Sequence, residues 1–265
     1  MLSGDDYKIS LQKRKTMNSP IKAITFDIWD TILIDDSDEP KREKRGLLSK
    51  PDERRERLYQ FLRREGTISR EEVDTAFNVS DAAFRQVWYE QHVTWSVAER
   101  LSAILKGLRR ELPVAELADL VKGYEEMELA IQPDLAPGIA ESVKRLSKRY
   151  KLGIISDTIF SSGRVLRKIL ADHDLERCFD SFVFSDEAGR AKPDRLVFEK
   201  AASDLGVDLS EIVHIGDREE KDVEGPHQVG ARAIYTTVVL DRGPTATADA
   251  VCRDYDELES IIDNL

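Results

Sequence analysis

The sequence predicts an α/β fold: a Rossmann-like three-layer core around a parallel sheet, with an α-helical cap inserted into it. Three observations carry this expectation. Short apolar runs rich in β-branched residues each end in a polar residue, as buried parallel strands do. Helical patterns alternate with the later runs, which is the signature of strand–helix–strand crossovers. More than 100 residues separate the first run from the second, too many for one crossover.

The first run is Ile21-Lys22-Ala23-Ile24-Thr25-Phe26, ending at Asp27. The second is Leu152-Gly153-Ile154-Ile155, ending at Ser156, and the third is Ile212-Val213-His214-Ile215, ending at Gly216-Asp217. Ser181–Phe184 and Ala231–Tyr235 are weaker strand candidates. Val143–Leu146, Val165–Leu170, Leu196–Leu205 and Val223–Val229 stand where crossover helices are required. In such sheets ligands bind outside the carboxyl ends of the strands. Asp27, Ser156 and Asp217 are therefore expected to converge on one crevice.

The long interval has helical signals of its own. Leu58, Phe61 and Leu62 share a face, and Val97, Leu101, Ile104, Leu105 and Leu108 form a stripe at helical spacing. Ser69 with Glu72, and Ser96 with Glu99, have capping-box spacing. The expected organisation is a polar tail over residues 1–20, a core over 21–34 and 134–265, and a helical cap over 35–133. Met17 offers an alternative start. The charged stretch 35–57 reads as a solvated hinge and first helix. Its KREKR run is diluted by acidic neighbours.

Bulk properties narrow the function. The chain has 265 residues, 41% hydrophobic and 34% charged, with a formal net charge of −11, the balance of a soluble globular protein. The acidic surplus argues against nucleic acid and anionic lipid as partners. No apolar run approaches the roughly 18–20 residues of a membrane-spanning helix, and the N-terminus lacks the apolar core of a secretion signal. Cys178 and Cys252 form no CxxC pair, which suits a reducing cytoplasm.

Asp27 and Asp217 bring two carboxylates into one crevice, where they repel unless a cation or a shared proton intervenes. Mg²⁺, a hard cation that takes carboxylate oxygens and waters, fits this need. Asp222, five residues after Asp217, adds a further oxygen source. Ser156 and the neighbouring backbone N–H groups form a natural phosphate seat. Lys192, held extended before Pro193, projects a point charge towards an oxyanion.

Four separated motifs occur in order: Phe26-Asp27-Ile28-Trp29-Asp30-Thr31-Ile32-Leu33; Ile154-Ile155-Ser156-Asp157-Thr158; Ser185-Asp186-Glu187-Ala188-Gly189-Arg190-Ala191-Lys192-Pro193-Asp194; and His214-Ile215-Gly216-Asp217 with Asp222 and Gly225. Spanning residues 21–230, the set resembles the haloacid dehalogenase superfamily of hydrolases, mostly phosphatases, and the insertion resembles that family's helical cap. The resemblance implies that Asp27 attacks phosphorus and becomes an aspartyl phosphate. It implies a metal site of Asp27, the Trp29 carbonyl and Asp217, supported by Asp222. It implies that Ser156, the N–H groups of Asp157 and Thr158, and Lys192 hold the phosphoryl group of a small phosphorylated substrate.

One position departs from the pattern. Phosphatases of this family carry a second aspartate two residues after the nucleophile, as general acid and base; here it is Trp29. Such a group typically supplies about 10²–10⁴ in rate. Three accounts are open: a substrate with a good leaving group, a proton donor from the cap such as His92 or Glu90, or a different reaction. A 2-haloacid hydrolase carries an aromatic residue at this position but lacks the acidic fourth motif. A catalytically idle binding module is the remaining alternative. His214 is expected as a satisfied core histidine, His173 and His227 as surface residues, and Trp88, Tyr89 and Trp95 as cap core.

Overall fold

The computed structural model describes residues 20–245 and 247–265. The polar tail expected over residues 1–20, with Met17, lies outside the described residues except for Pro20. Six strands form one parallel sheet: β1 (Ala23–Phe26), β2 (Lys151–Ser156), β3 (Ser181–Phe184), β4 (Ile212–Gly216), β5 (Arg232–Thr236) and β6 (Ala250–Cys252), in the order β3-β2-β1-β4-β5-β6. The register sets Phe26 beside Ile154 on one flank and Ile215 on the other. The strand ends that carry Asp27, Ser156 and Asp217 are thus neighbours.

Alternation along the strands builds the three layers. Ile24, Phe26, Ile154, Val213, Ile215 and Ile234 face one side and pack with helices Ile139–Leu146, Gly163–Asp172 and Leu258–Asp263. Ala23, Ile155 and Val183 face the other side, against helix Arg195–Leu205. The Rossmann-like three-layer core expected from the alternation is what the chain forms. β6 was not expected; it is three residues long and extends the sheet edge beyond β5.

The chain leaves the core just after Leu33 and returns just before Leu135, where the two segments pair: Ile34 donates to the Asp134 carbonyl at 2.8 Å and Ala136 to Ile32 at 2.8 Å. Between them lie five helices of six residues or more, Glu39–Lys44, Lys50–Glu65, Arg70–Gln91, Val97–Gly107 and Val114–Glu125. These have their own apolar core, built from Leu58, Leu62, Phe77, Leu101, Ile104 and Tyr124 among others. Ser69 with Glu72, and Ser96 with Glu99, close the expected capping boxes. Among the described residues no helix is long and apolar enough to cross a membrane.

The stretch 35–57 is largely exposed or partly exposed, as a solvated hinge and first helix would be, but four of its charged or polar residues turn inward. Asp38, Arg42, Lys50 and Arg54 are buried. Lys50 bonds Asp38 at 2.7 Å and Glu128 at 3.0 Å, and Arg42, inside the KREKR run, donates to the Leu48 carbonyl at 3.0 Å and pairs with Glu53. These charges are internal fasteners between cap helices. His173 and His227 are half-buried residues at the surface, as expected, and Tyr89 is exposed rather than core.

Candidate active site

At the carboxyl ends of β1, β2 and β4 the structure gathers Asp27, Ser156, Asp217 and Asp222, with Lys192 reaching in from the loop before helix Arg195–Leu205. Lys192 is buried. Its ammonium contacts Asp222 Oδ1 at 2.6 Å and Asp27 Oδ1 at 2.9 Å. Burial works against the ammonium, but Asp222, Asp27 and Asp157 together hold its pKa above the ordinary lysine value. Lys192 is therefore a fixed positive charge at neutral pH.

Asp222 anchors the far side of that lysine. Burial opposes its charge, yet Lys192 and His214 more than offset the cost and keep its pKa below the usual carboxylate range. Its Oδ2 accepts the Arg218 N–H at 3.0 Å. Both oxygens are therefore already engaged, which suits a supporting part rather than that of an open ligand. His214 lies fully buried between Asp222 at 3.1 Å and the Thr25 hydroxyl at 2.9 Å, the satisfied core histidine the sequence predicts. Burial lowers its pKa, so it is neutral. An ionised carboxylate only accepts, so Nε2–H donates to Asp222 and Nδ1 accepts from Thr25. Gly216 is required here, because a Cβ on it would lie 2.3 Å from Asp222 Cγ.

One oxygen from each of Asp27, Asp217 and Asp222 lies within 4.8 Å of the others. Burial, with Asp27 and Asp222 adding, pushes Asp217 up to about 6. Burial likewise raises Asp27, with Lys192 pulling it back and Asp222 adding to the rise. Asp217 Oδ1 is buried without a hydrogen-bond partner among the described residues. An orphaned acidic oxygen costs free energy unless something pairs with it. The donor set, hard oxygens with an excess of negative charge, fits a Mg²⁺ ion.

Sequence reasoning missed Arg242. It donates to Asp217 Oδ2 through Nε and to Asp30 Oδ2 at 2.7 Å. It lies beyond β5 in an irregular segment, where no periodicity marks it. Asp30 holds a left-handed backbone (φ 55°) and accepts the Asp35 N–H at 3.0 Å, closing the loop that follows β1.

The phosphate seat is only partly as expected. Ser156 Oγ is buried and has no hydrogen-bond partner among the described residues. Asp157 turns its carboxylate away to accept from the Lys192 N–H at 2.9 Å and Lys221 Nζ at 2.8 Å. The Thr158 N–H is already spent on Ser185 Oγ at 2.8 Å and its hydroxyl on Asp186 at 2.7 Å. Thr158 therefore fixes its loop, and its N–H is not free for a ligand.

A cavity of about 220 Å³ opens over Asp27 and Lys192. Trp29 forms part of its wall, as do Trp88 and Phe160. Lys221, whose pKa burial lowers, lies 3.2 Å from the Trp88 ring centroid, so the core touches the cap through a cation–π contact. His92 and Glu90, named as alternative proton donors, do not line this cavity. His92 ends helix Arg70–Gln91, and Glu90 accepts from Gln86 at 2.8 Å. The cavity's hinge and cap carboxylates are Asp35, Asp36 and Glu128.

The comparisons with known proteins agree with this geometry. A phosphatase from Mycobacterium tuberculosis is 31% identical over 166 residues, covering 62% of this chain and 71% of that protein. The crystal structure of a HAD phosphatase from Thermococcus onnurineus superimposes with a TM-score of 0.62 at 25% identity, over 91% of this chain and 98% of that one. A 2-haloacid dehalogenase from Pseudomonas syringae shares the fold, with a TM-score of 0.65 at 20% identity over 92% and 99% of the two chains. The family model for haloacid dehalogenase-like hydrolases matches residues 21–230, the span of the four motifs, and the chain belongs to that family of hydrolases.

Proposed function

We propose that this protein is a Mg²⁺-dependent phosphohydrolase that acts on a small phosphorylated metabolite through an aspartyl phosphate on Asp27. The observation that carries the reading is the juxtaposition of Asp27 with Lys192 at 2.9 Å and with Asp217, whose Oδ1 has no partner. Asp27, the Trp29 carbonyl and Asp217 would hold the ion, with Asp222 fixing the lysine beside it. Bound there, the ion supplies the positive charge that keeps Asp27 ionised and offsets its repulsion from an anionic substrate.

The chain's own groups do the rest. Lys192 neutralises the transferring group. The free Ser156 hydroxyl and the Asp157 N–H orient it. An Asp27 carboxylate oxygen attacks phosphorus as the bond to the leaving oxygen breaks. Water then attacks the same phosphorus, releasing inorganic phosphate and regenerating Asp27. The helices over residues 35–133 act as the cap and exclude bulk water. Trp29 offers no acidic proton, so the leaving oxygen departs without help from that position. Aryl and acyl phosphates, whose leaving groups are stable as anions, are the favoured substrates. The free thiols Cys178 and Cys252 suit a cytoplasmic setting.

A C–halogen hydrolase is the second reading, favoured by the aromatic Trp29. It leaves the orphaned Asp217 oxygen without a purpose. The discriminating assay is p-nitrophenyl phosphate hydrolysis with and without Mg²⁺, beside chloride release from 2-chloropropionate without metal. Metal-dependent nitrophenol release supports the phosphohydrolase; chloride release without it contradicts that reading.

A further inference from the structure

Arg54 is an anomaly of charge. Its side chain is 6% exposed, its Nε is buried with no hydrogen-bond partner, and no carboxylate lies within ion-pair distance of it among the described residues. Burial lowers its pKa to about 10, which leaves it charged at neutral pH. Glu128 is near enough to favour the charge; its Oε1 is bonded to Lys50 at 3.0 Å and its Oε2 has no hydrogen-bond partner among the described residues, yet it makes no ion pair with Arg54. A buried cation without a bonded anion costs free energy. The fold nevertheless fixes it: the guanidinium stacks 3.7 Å from the Phe160 centroid, and its backbone carbonyl accepts the Tyr124 hydroxyl.

Its location gives the reason. Arg54 lines the catalytic cavity with Asp27 and Lys192, and it also lines a second cavity of about 430 Å³ on the cap side. The two spaces share Arg54, Trp88, Ile159, Phe160 and Arg218. Five arginines, Arg54, Arg55, Arg85, Arg100 and Arg218, line the second space with a single aspartate, Asp81, which is bound to Arg100 at 2.5 Å. The exposed side chains of Arg85 and Arg218 join no ion pair among the described residues. In a protein of net charge −11, a vestibule this basic is a local reversal of sign, and such reversals concentrate anions. Arginine forks match carboxylate and phosphate oxygens pairwise.

We propose that the substrate is a phosphomonoester carrying a second anionic group, carboxylate or phosphate, which binds Arg54 at the junction while the reacting phosphate lies over Asp27. The inference rests on the phosphohydrolase reading and sharpens it to a substrate class. Phe160 and Trp88 line both spaces, with cations over their rings: Arg54 and Arg100 on Phe160 and Lys221 on Trp88.

Three aryl phosphates with leaving groups of similar acidity test this: 4-(hydroxymethyl)phenyl phosphate, 4-carboxyphenyl phosphate and hydroquinone bisphosphate. In the wild-type protein with Mg²⁺, at least one of the two doubly anionic substrates is expected to exceed the neutral-tailed one in kcat/KM by about tenfold or more, chiefly through KM. Whichever does so identifies the second group. Arg54→Gln is expected to bring that ratio close to one, and Arg54→Lys to restore part of it, with the circular-dichroism melt reporting folding. A wild-type ratio near one, with p-nitrophenyl phosphate still hydrolysed, overturns this inference and leaves the phosphohydrolase standing. So does a ratio unchanged in a folded Arg54→Gln protein. Failure to hydrolyse any of the aryl phosphates overturns both. The wild-type ratio needs no variant to fold.

Discussion

The two ends of the cavity over Asp27 differ in one buried charge. At the core end every buried cation has an anion in contact: Lys192 holds Asp27 and Asp222, and Lys221 holds Asp157. At the cap end Lys50 is likewise paired, with Asp38 and Glu128, but Arg54 is buried with no carboxylate in ion-pair contact among the described residues. At the core end each of these cations positions a carboxylate, and what is left open there is the orphaned Asp217 oxygen. The cap end keeps a charge unpaired, so its balance is completed from outside. On the proposed reading, reaction and selectivity fall on different parts of the chain.

Removing one cation from each end breaks or sharpens that contrast. Lys192→Met leaves Asp27 and Asp222 as buried carboxylates facing each other, and is expected to cost about 3–5 kcal/mol of stability. Arg54→Met removes an uncompensated charge and loses a stacked contact; the two offset, and the change is expected to stay within about 1 kcal/mol. Urea unfolding of both variants checks this. Equal losses would erase the distinction between the two ends.

Trp29 stands at the border, on the loop after Asp27 but in the cavity wall. Trp29→Asp restores an acid to a site that lacks one. It is expected to raise kcat for an alkyl phosphate by up to about 10²-fold while changing aryl phosphate turnover far less. A folded variant with no gain on alkyl phosphates would show that the missing acid does not limit the reaction.

The smallest effect lies at the sheet edge, away from both ends. His227 bonds Asp249 at 2.8 Å. The hydrogen bond raises the histidine pKa, and Asp249 is held low because His227 and the Ala233 N–H outweigh its partial burial. The sign follows by linkage. The histidine's contribution is fully present below its unfolded value and fades as pH rises through its raised one. The aspartate's contribution is present above its unfolded value and fades as pH falls through its lowered one. The pair therefore stabilises most between about pH 4 and 6.5. His227→Gln should lower the melting temperature slightly in that window and less at pH 8. A deficit that is flat with pH would contradict the pairing.

The core was legible because its signals are local. Asp27, Ser156 and Asp217 end strands that three short runs announce, and parallel-sheet topology brings those ends together. The cap's helices were legible from Ser69 and Ser96 and from the stripe at Val97–Leu108. What stayed hidden depends on long-range pairing. Lys50 finds Glu128 78 residues away, and nothing local in a charged stretch says which charges turn inward. Arg242 reaches Asp30 across 212 residues from an irregular segment. β6 is too short for alternation to show. Thr158 was misassigned as a ligand donor because its N–H is claimed by Ser185, 27 residues on.

The central claim is that Asp27 takes up the phosphoryl group. Rapid acid quench of the wild-type protein during p-nitrophenyl phosphate turnover with Mg²⁺, followed by borohydride reduction and peptide mass spectrometry, tests it directly. An aspartyl phosphate at Asp27 is reduced to homoserine, so the account predicts that mass change on the peptide containing Asp27 and none in Asp27→Asn. Turnover with no modification at Asp27, or with an equal signal from Asp27→Asn, would contradict it.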